Sequence, residues 1–158
     1  MTKMLVIYDS KYRNKEKIAR AISGAFHGEV SVVCPDRVIP ADLKSLDFLV
    51  VGSPTQGFRA TMPVQEFLDN IPDRSLNGLF VAAFDTRMNV GGIGGFIVRR
   101  GGYAAPRTAR VLQKKGGVLA APPEGFFVLG SEGPLKEGEL ERATEWARGL
   151  AGKGEKRA

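Results

Sequence analysis

The chain has 158 residues and a formal net charge of +6 at pH 7. This length suits a single domain, and the one cysteine and one histidine exclude an internal disulfide and argue against a transition-metal site. The longest apolar runs have strand length and the first residues lack the pattern of a signal peptide, so we expect a cytoplasmic protein with no membrane span.

The first segment is a strand that leads through a polar loop into a helix. Residues 4–8 (MLVIY) form the short apolar run of a parallel strand that is buried on both faces. Apolar residues then recur every fourth position between residues 18 and 26, which predicts a helix over 14–26. Because the free N–H groups at a helix start attract anions, the loop before this helix predicts a phosphate site. Three cations add positive charge to the loop: Lys11, Arg13 and Lys15.

This loop differs from the two common nucleotide-binding loops. A Walker loop and a dinucleotide-binding loop both need glycines at fixed spacing, and residues 9–15 contain none. The glycine-rich stretch at 91–102 follows a later strand and lacks both spacings. We therefore interpret that stretch as a loop beside the ligand.

Two later strands are also followed by a loop and then a helix. A strand near 48–52 ends in Gly-Ser-Pro-Thr and precedes a helix near 63–70. A strand near 79–84, within GLFVAAFDTRM, leads into the glycine-rich stretch, and a helix near 103–116 follows. The remaining predicted elements are a strand near 30–33, a poorly formed helix near 40–46, a strand near 117–129 and a helix near 136–150. The AAPPEG interruption at 120–125 indicates a bend or a split in the last strand.

The alternation of strands and helices predicts an α/β three-layer sandwich with a five-stranded parallel sheet in the order 2-1-3-4-5. In that order, the loops after strands one and three flank the switch point, where such sheets bind ligands. The three loops described above therefore converge on one crevice. We expect one domain over residues 1–151, followed by a basic, frayed tail over 152–158.

The three loops resemble those of the flavodoxin family, in the same order and over nearly the whole chain. The family's phosphate loop usually has the form Ser/Thr-x-Thr/Tyr-Gly-Asn-Thr, and Ser10, Tyr12 and Asn14 match it. Arg13 replaces the glycine and Lys15 replaces the final threonine, so the phosphate loop is divergent. The resemblance implies a flavodoxin-like fold and FMN as the cofactor.

The resemblance also implies which residues bind FMN. The phosphate loop would supply Ser10, Lys11, Tyr12, Arg13, Asn14 and Lys15, and the flavin ring would lie between Pro54, Thr55, Gln56, Gly57 and Phe58 on one side and Asp85, Thr86, Arg87 and Phe96 on the other. Three aromatic residues are candidates to stack on the flavin: Phe58, Phe96 and Tyr103. No catalytic residue is required, because the flavin itself performs the redox chemistry.

On this basis we expect an FMN-binding electron-transfer protein. Two alternatives stay open, namely an FMN-dependent NAD(P)H or quinone reductase and a flavin-free binding domain of the same fold. Flavodoxins that carry electrons are typically acidic, so the basic net charge points to a redox partner with an acidic docking face. The cations between residues 99 and 115 lack an aromatic stacking platform, which argues against nucleic acid. A phospho-accepting receiver domain does not fit, because no aspartate ends the third strand.

Overall fold

The structure is a computed structural model that describes residues 2–9, 14–55, 60–88, 103–129 and 134–157. Its strands are β1 (Lys3–Tyr8), β2 (Glu29–Val33), β3 (Phe48–Pro54), β4 (Phe80–Met88), β5 (Val118–Leu119) and β6 (Glu124–Val128). Its α-helices are α1 (Asn14–Gly24), α2 (Met62–Asp69), α3 (Ala104–Lys114) and α4 (Glu139–Arg157). Two short 3-10 helices, Pro35–Arg37 and Pro40–Leu43, connect β2 to β3.

The strands form one parallel sheet in the order β2-β1-β3-β4-β5, which confirms the predicted order. The last position in the sheet is divided between two strands, because β5 pairs with the start of β4 and β6 pairs with its end. Residues 120–123 separate them, and the prolines at 122 and 123 have no N–H group with which to continue the ladder. The predicted strand at 117–129 is therefore split at its proline interruption.

The core lies on both faces of the sheet, which explains why the strands are continuously apolar. One face packs against α1 and α4, where Ile18, Ile22 and Leu150 are fully buried. The other face packs against α2 and α3 and buries Val64 and Leu112 completely. Alternate residues of each strand point to opposite faces of the sheet. Each strand therefore contributes side chains to both layers of the core.

Several predicted boundaries are wrong. The first helix ends at Gly24 rather than at residue 26, and the poorly formed helix predicted near 40–46 is the shorter 3-10 helix Pro40–Leu43. Strand β4 extends past residue 84 to Met88, because β6 pairs with this extension. Helix α4 begins at Glu139 and continues to Arg157, so its backbone is helical through most of the predicted tail. Whether that end frays stays a prediction. Within the described ranges, no helix has the length and apolar character needed to cross a membrane.

Candidate functional site

The carboxyl ends of β1, β3 and β4 lie side by side at one edge of the sheet. Tyr8 pairs with Gly52, and Gly52 pairs in turn with Phe84. From β1, β2 is added on one side of the sheet and β3 and β4 on the other, so the strand order reverses between β1 and β3, which is the switch point at which parallel sheets bind ligands. The three segments that the sequence analysis singled out therefore begin from neighbouring positions.

The predicted phosphate loop lies mostly outside the described residues. Ser10, Lys11, Tyr12 and Arg13 belong to the part that is not described, whereas Asn14 and Lys15 open helix α1. The helix thus starts at the predicted residue, with five residues between it and the end of β1, and its first turn has free backbone N–H groups. Partial burial raises the pKa of the Tyr8 phenol, and the Glu16 carboxylate raises it further. The phenol at the end of β1 is therefore a neutral hydrogen-bond donor at physiological pH.

The second predicted segment begins at the end of β3. Pro54 is the last residue of that strand, and the Thr55 N–H donates to the Thr86 carbonyl over 3.0 Å, which continues the pairing of β3 with β4. Gln56, Gly57 and Phe58 lie outside the described residues.

Ser53 fixes the two ends of this second segment, a role that the sequence analysis missed. Its buried hydroxyl accepts a hydrogen bond from the Thr61 N–H over 3.0 Å and donates to the Pro54 carbonyl over 2.9 Å. Thr61 immediately precedes α2. The hydroxyl in an otherwise apolar strand was the available signal, because a buried polar group requires a partner.

The third predicted segment lies within β4 rather than in a loop. Asp85 is completely buried, and its carboxylate accepts the Arg87 Nε and Nη2 groups, each over 2.7 Å. The same carboxylate accepts the Ala105 N–H over 2.9 Å. Thr55 Oγ1 accepts the neighbouring Ala104 N–H over 3.0 Å. Side chains of β3 and β4 therefore satisfy two of the free N–H groups at the start of α3.

The Arg87 guanidinium has two close neighbours besides Asp85. It lies over the Tyr103 ring, with Cζ 3.5 Å from the ring centroid. It also lies against Gly125 of β6, where an added Cβ atom would overlap the guanidinium. Tyr103 thus has one ring face covered by Arg87, which leaves at most its other face to stack on a flavin. No sequence pattern identifies Gly125, because its contact depends on how β6 aligns with β4.

The structure therefore brings together Pro54, Thr55, Asp85, Thr86 and Arg87 at the ends of β3 and β4, and adds Ser53 and Gly125 to them. Phe96 lies outside the described residues. The arrangement fits a flavin mononucleotide in its donor chemistry. The start of α1 provides backbone N–H groups for a phosphate, and the ends of β3 and β4 provide polar groups suited to a heterocycle.

Comparison with known proteins supports the fold. No family model matches the sequence, and no curated protein matches it. Among solved structures, a flavodoxin from the domain Archaea has 22% identity and a TM-score of 0.78, with 98% of this chain and 99% of that chain covered. Oxidised Flavodoxin 2 from Bacillus cereus has 22% identity and a TM-score of 0.76, with 96% and 99% covered.

A larger protein shares the same architecture in part of its length. The rubredoxin oxygen:oxidoreductase of Desulfovibrio gigas has 20% identity and a TM-score of 0.75, and the match covers 100% of this chain and 37% of that chain. These likenesses show that the chain has the flavodoxin-like fold.

Proposed function

We propose that this protein binds FMN and transfers electrons. The observation that carries the proposal is the placement of the ends of β1, β3 and β4 at one sheet edge, with the start of α1 beside them. A ligand with a terminal phosphate and a flat heterocycle needs a helix start for the phosphate and a sheet edge for the ring next to each other. The flavodoxins among the similar structures, and the part of an oxidoreductase that matches this chain, support the same function.

Each part of the chain has a distinct role in this proposal. The start of α1 and the polar loop before it bind the phosphate, with Ser10, Tyr12 and Asn14 as side-chain ligands and Arg13 and Lys15 as cations that replace the family's glycine and threonine. The ends of β3 and β4 orient the ring. Ser53 and Asp85 hold those ends in place through their hydrogen bonds to Thr61 and Ala105. Bound FMN would supply the electron-transfer chemistry, and the surrounding groups would set its potentials.

A titration with FMN, riboflavin and FAD tests this function. We expect FMN to bind most tightly and riboflavin much more weakly, because charge-assisted contacts to the phosphate each contribute about 1.5 to 3 kcal/mol. The visible absorption spectrum and the fluorescence quenching of the flavin report binding. Equal affinity for riboflavin and FMN would contradict the phosphate site, and no binding of any flavin would favour the flavin-free alternative. Rapid NAD(P)H oxidation with a quinone present would instead favour a reductase.

We also propose that the redox partner presents an acidic docking face. Helix α3 starts at the site, and residues 104–115 include no acidic side chain. Arg110 and Lys114 are exposed and lie one helical turn apart on its outer surface. Exposed charges of one sign steer an oppositely charged partner at low ionic strength.

Electron exchange with an acidic iron–sulfur protein measures this docking. We expect the double change Arg110→Glu and Lys114→Glu to slow exchange at low salt and to weaken its salt dependence. The double change Lys44→Glu and Arg74→Glu is a control with the same total charge change, because both residues are exposed, in the turns before β3 and after α2. Equal slowing by the control would show that only net charge matters and would contradict a docking face on α3.

A further inference from the structure

We propose that Arg87 is a fixed cation that makes the site prefer reduced over oxidised FMN. This inference rests on the proposed function and specifies how the chain sets the redox balance of its cofactor. It assigns Arg87 to the flavin ring rather than to the phosphate.

Arg87 is held in a single position by three different contacts. Its Nε and Nη2 groups donate to the two oxygens of Asp85, its Cζ lies over the Tyr103 ring, and Gly125 lies against the guanidinium. Its side chain is only 17% exposed. A cation with so little freedom needs no reorganisation when charge develops nearby, which is the condition under which a fixed charge is most effective.

One part of the guanidinium is not used in these contacts. The Nη1 amino group has no hydrogen-bond partner within the described part of the chain. Because Asp85 occupies the Nε and Nη2 edge of the planar group, Nη1 lies on the side away from that carboxylate.

The Arg87 backbone lies near the carboxyl end of β4, at the sheet edge that forms the site. Thr86 pairs with Pro54, and the Thr55 N–H donates to the Thr86 carbonyl, so Arg87 is the next residue toward the carboxyl edge. Asp85 lies deeper in the strand and is completely buried. The Arg87 backbone therefore lies nearer to the carboxyl edge of the sheet than the Asp85 backbone does.

Reduction of FMN creates the charge that this cation would stabilise. Oxidised FMN takes up two electrons from the redox partner protein and one proton from water, and the product carries one more negative charge on its ring system. Charge near the ring nitrogens is a recognised means by which proteins tune flavins. A nearby cation in a poorly solvated site binds the reduced form more tightly than the oxidised form.

Midpoint potentials of the FMN-loaded protein, measured against reference dyes, test the inference. We expect Arg87→Met to lower the preference for reduced over oxidised FMN at least tenfold, where each tenfold change corresponds to about 30 mV for a two-electron couple. Asp85→Asn keeps an acceptor but removes the negative charge, and it should shift the potential in the opposite direction. Lys44→Met removes an equal charge from the exposed turn before β3 and should change the preference less than twofold.

Gly125→Ala provides a second test that leaves every charge in place. Its added Cβ would displace the guanidinium, so the potential should move in the same direction as in Arg87→Met but by less. This variant serves if Arg87→Met does not fold. An unchanged potential in FMN-loaded Arg87→Met would overturn this inference but not the proposed function. If Arg87→Met does not fold, an unchanged potential in Gly125→Ala has the same meaning. Absence of FMN binding by the wild-type protein, visible in the absorption spectrum beforehand, would overturn the proposed function and this inference with it.

Discussion

Two arginine clusters lie on either side of Gly125 and use their donors differently. Arg87 has a single acidic partner, Asp85, and leaves Nη1 unbound within the described residues. Arg142 has two acidic partners, because its Nη1 donates to Glu139 and its Nη2 donates to Glu124 over 2.7 Å and to the Gly125 carbonyl over 3.0 Å. Each of the two carboxylates at the centre, Asp85 and Glu139, also accepts a backbone N–H.

The clusters also differ in solvent access. The Arg142 side chain is 41% exposed, whereas the Arg87 side chain is 17% exposed. If one of its two acidic partners is removed, Arg142 can bind water in its place and still pairs with the other acid. Arg87 is less exposed and has only Asp85 as an acidic partner within the described residues. We conclude that the Arg142 cluster connects α4 to β6, whereas the Arg87 cluster connects β4 to the start of α3.

Removal of the Asp85 carboxylate should have the largest effect on stability. Asp85→Ala leaves the cation of Arg87 poorly solvated and the Ala105 N–H without its acceptor. Because breaking a buried ion pair costs about 3 to 5 kcal/mol, we expect the free energy of unfolding to fall by that amount. Urea unfolding followed by circular dichroism measures the loss. Asp85→Asn is the matched control and should lose clearly less, because it keeps an oxygen acceptor. A loss below that of Asp85→Asn would show that the pair does not stabilise the fold.

The corresponding change in the second cluster should cost less. Glu139→Ala removes the acceptor of the Phe127 N–H, and we expect a loss of about 1 to 3 kcal/mol for that unsatisfied group. Arg142 keeps Glu124 as its partner, which limits the loss. The same urea experiment compares the variants directly, with Glu139→Gln as control. If Glu139→Ala destabilises the protein more than Asp85→Ala, the distinction between the clusters fails.

Much of the first cluster could be predicted from the sequence. Asp85 and Arg87 are two residues apart in a strand, so their side chains lie on the same face of the sheet. The family resemblance implies that both residues contact the flavin, whereas the structure shows that they pair with each other. The surroundings of the pair could not be predicted, because they depend on the continuation of β4 to Met88. That continuation follows only from the pairing of β4 with β6.

The remaining parts of the site depend on tertiary alignment. The fold order and the apolar strands follow from local patterns, because burial on both faces of a parallel sheet leaves a continuous apolar run. The contact between Gly125 and Arg87 arises from the register in which Gly125 pairs with Asp85, and the proline interruption does not determine that register. The role of Ser53 likewise depends on where the chain returns at Thr61.

The contact between Arg87 and Tyr103 should have the smallest effect and gives the finest test of the comparison. The guanidinium of Arg87 is 3.5 Å from the Tyr103 centroid, whereas that of Arg142 is 5.3 Å from the Phe126 centroid. We expect Tyr103→Leu to lose about 0.5 to 1 kcal/mol of cation–π attraction in addition to its packing loss. Tyr103→Phe keeps the ring and should change stability little.

A double-mutant cycle of Tyr103→Leu with Arg87→Met separates the pair energy from the packing of the ring, since residues in contact couple and distant residues do not. The matched cycle uses Phe126→Leu with Arg142→Met. Because attraction between a cation and a ring weakens with separation, the first cycle should give the larger coupling energy. Equal coupling in the two cycles would mean that Tyr103 does not hold Arg87 in place, and Asp85 and Gly125 alone would then fix the orientation of the cation at the site.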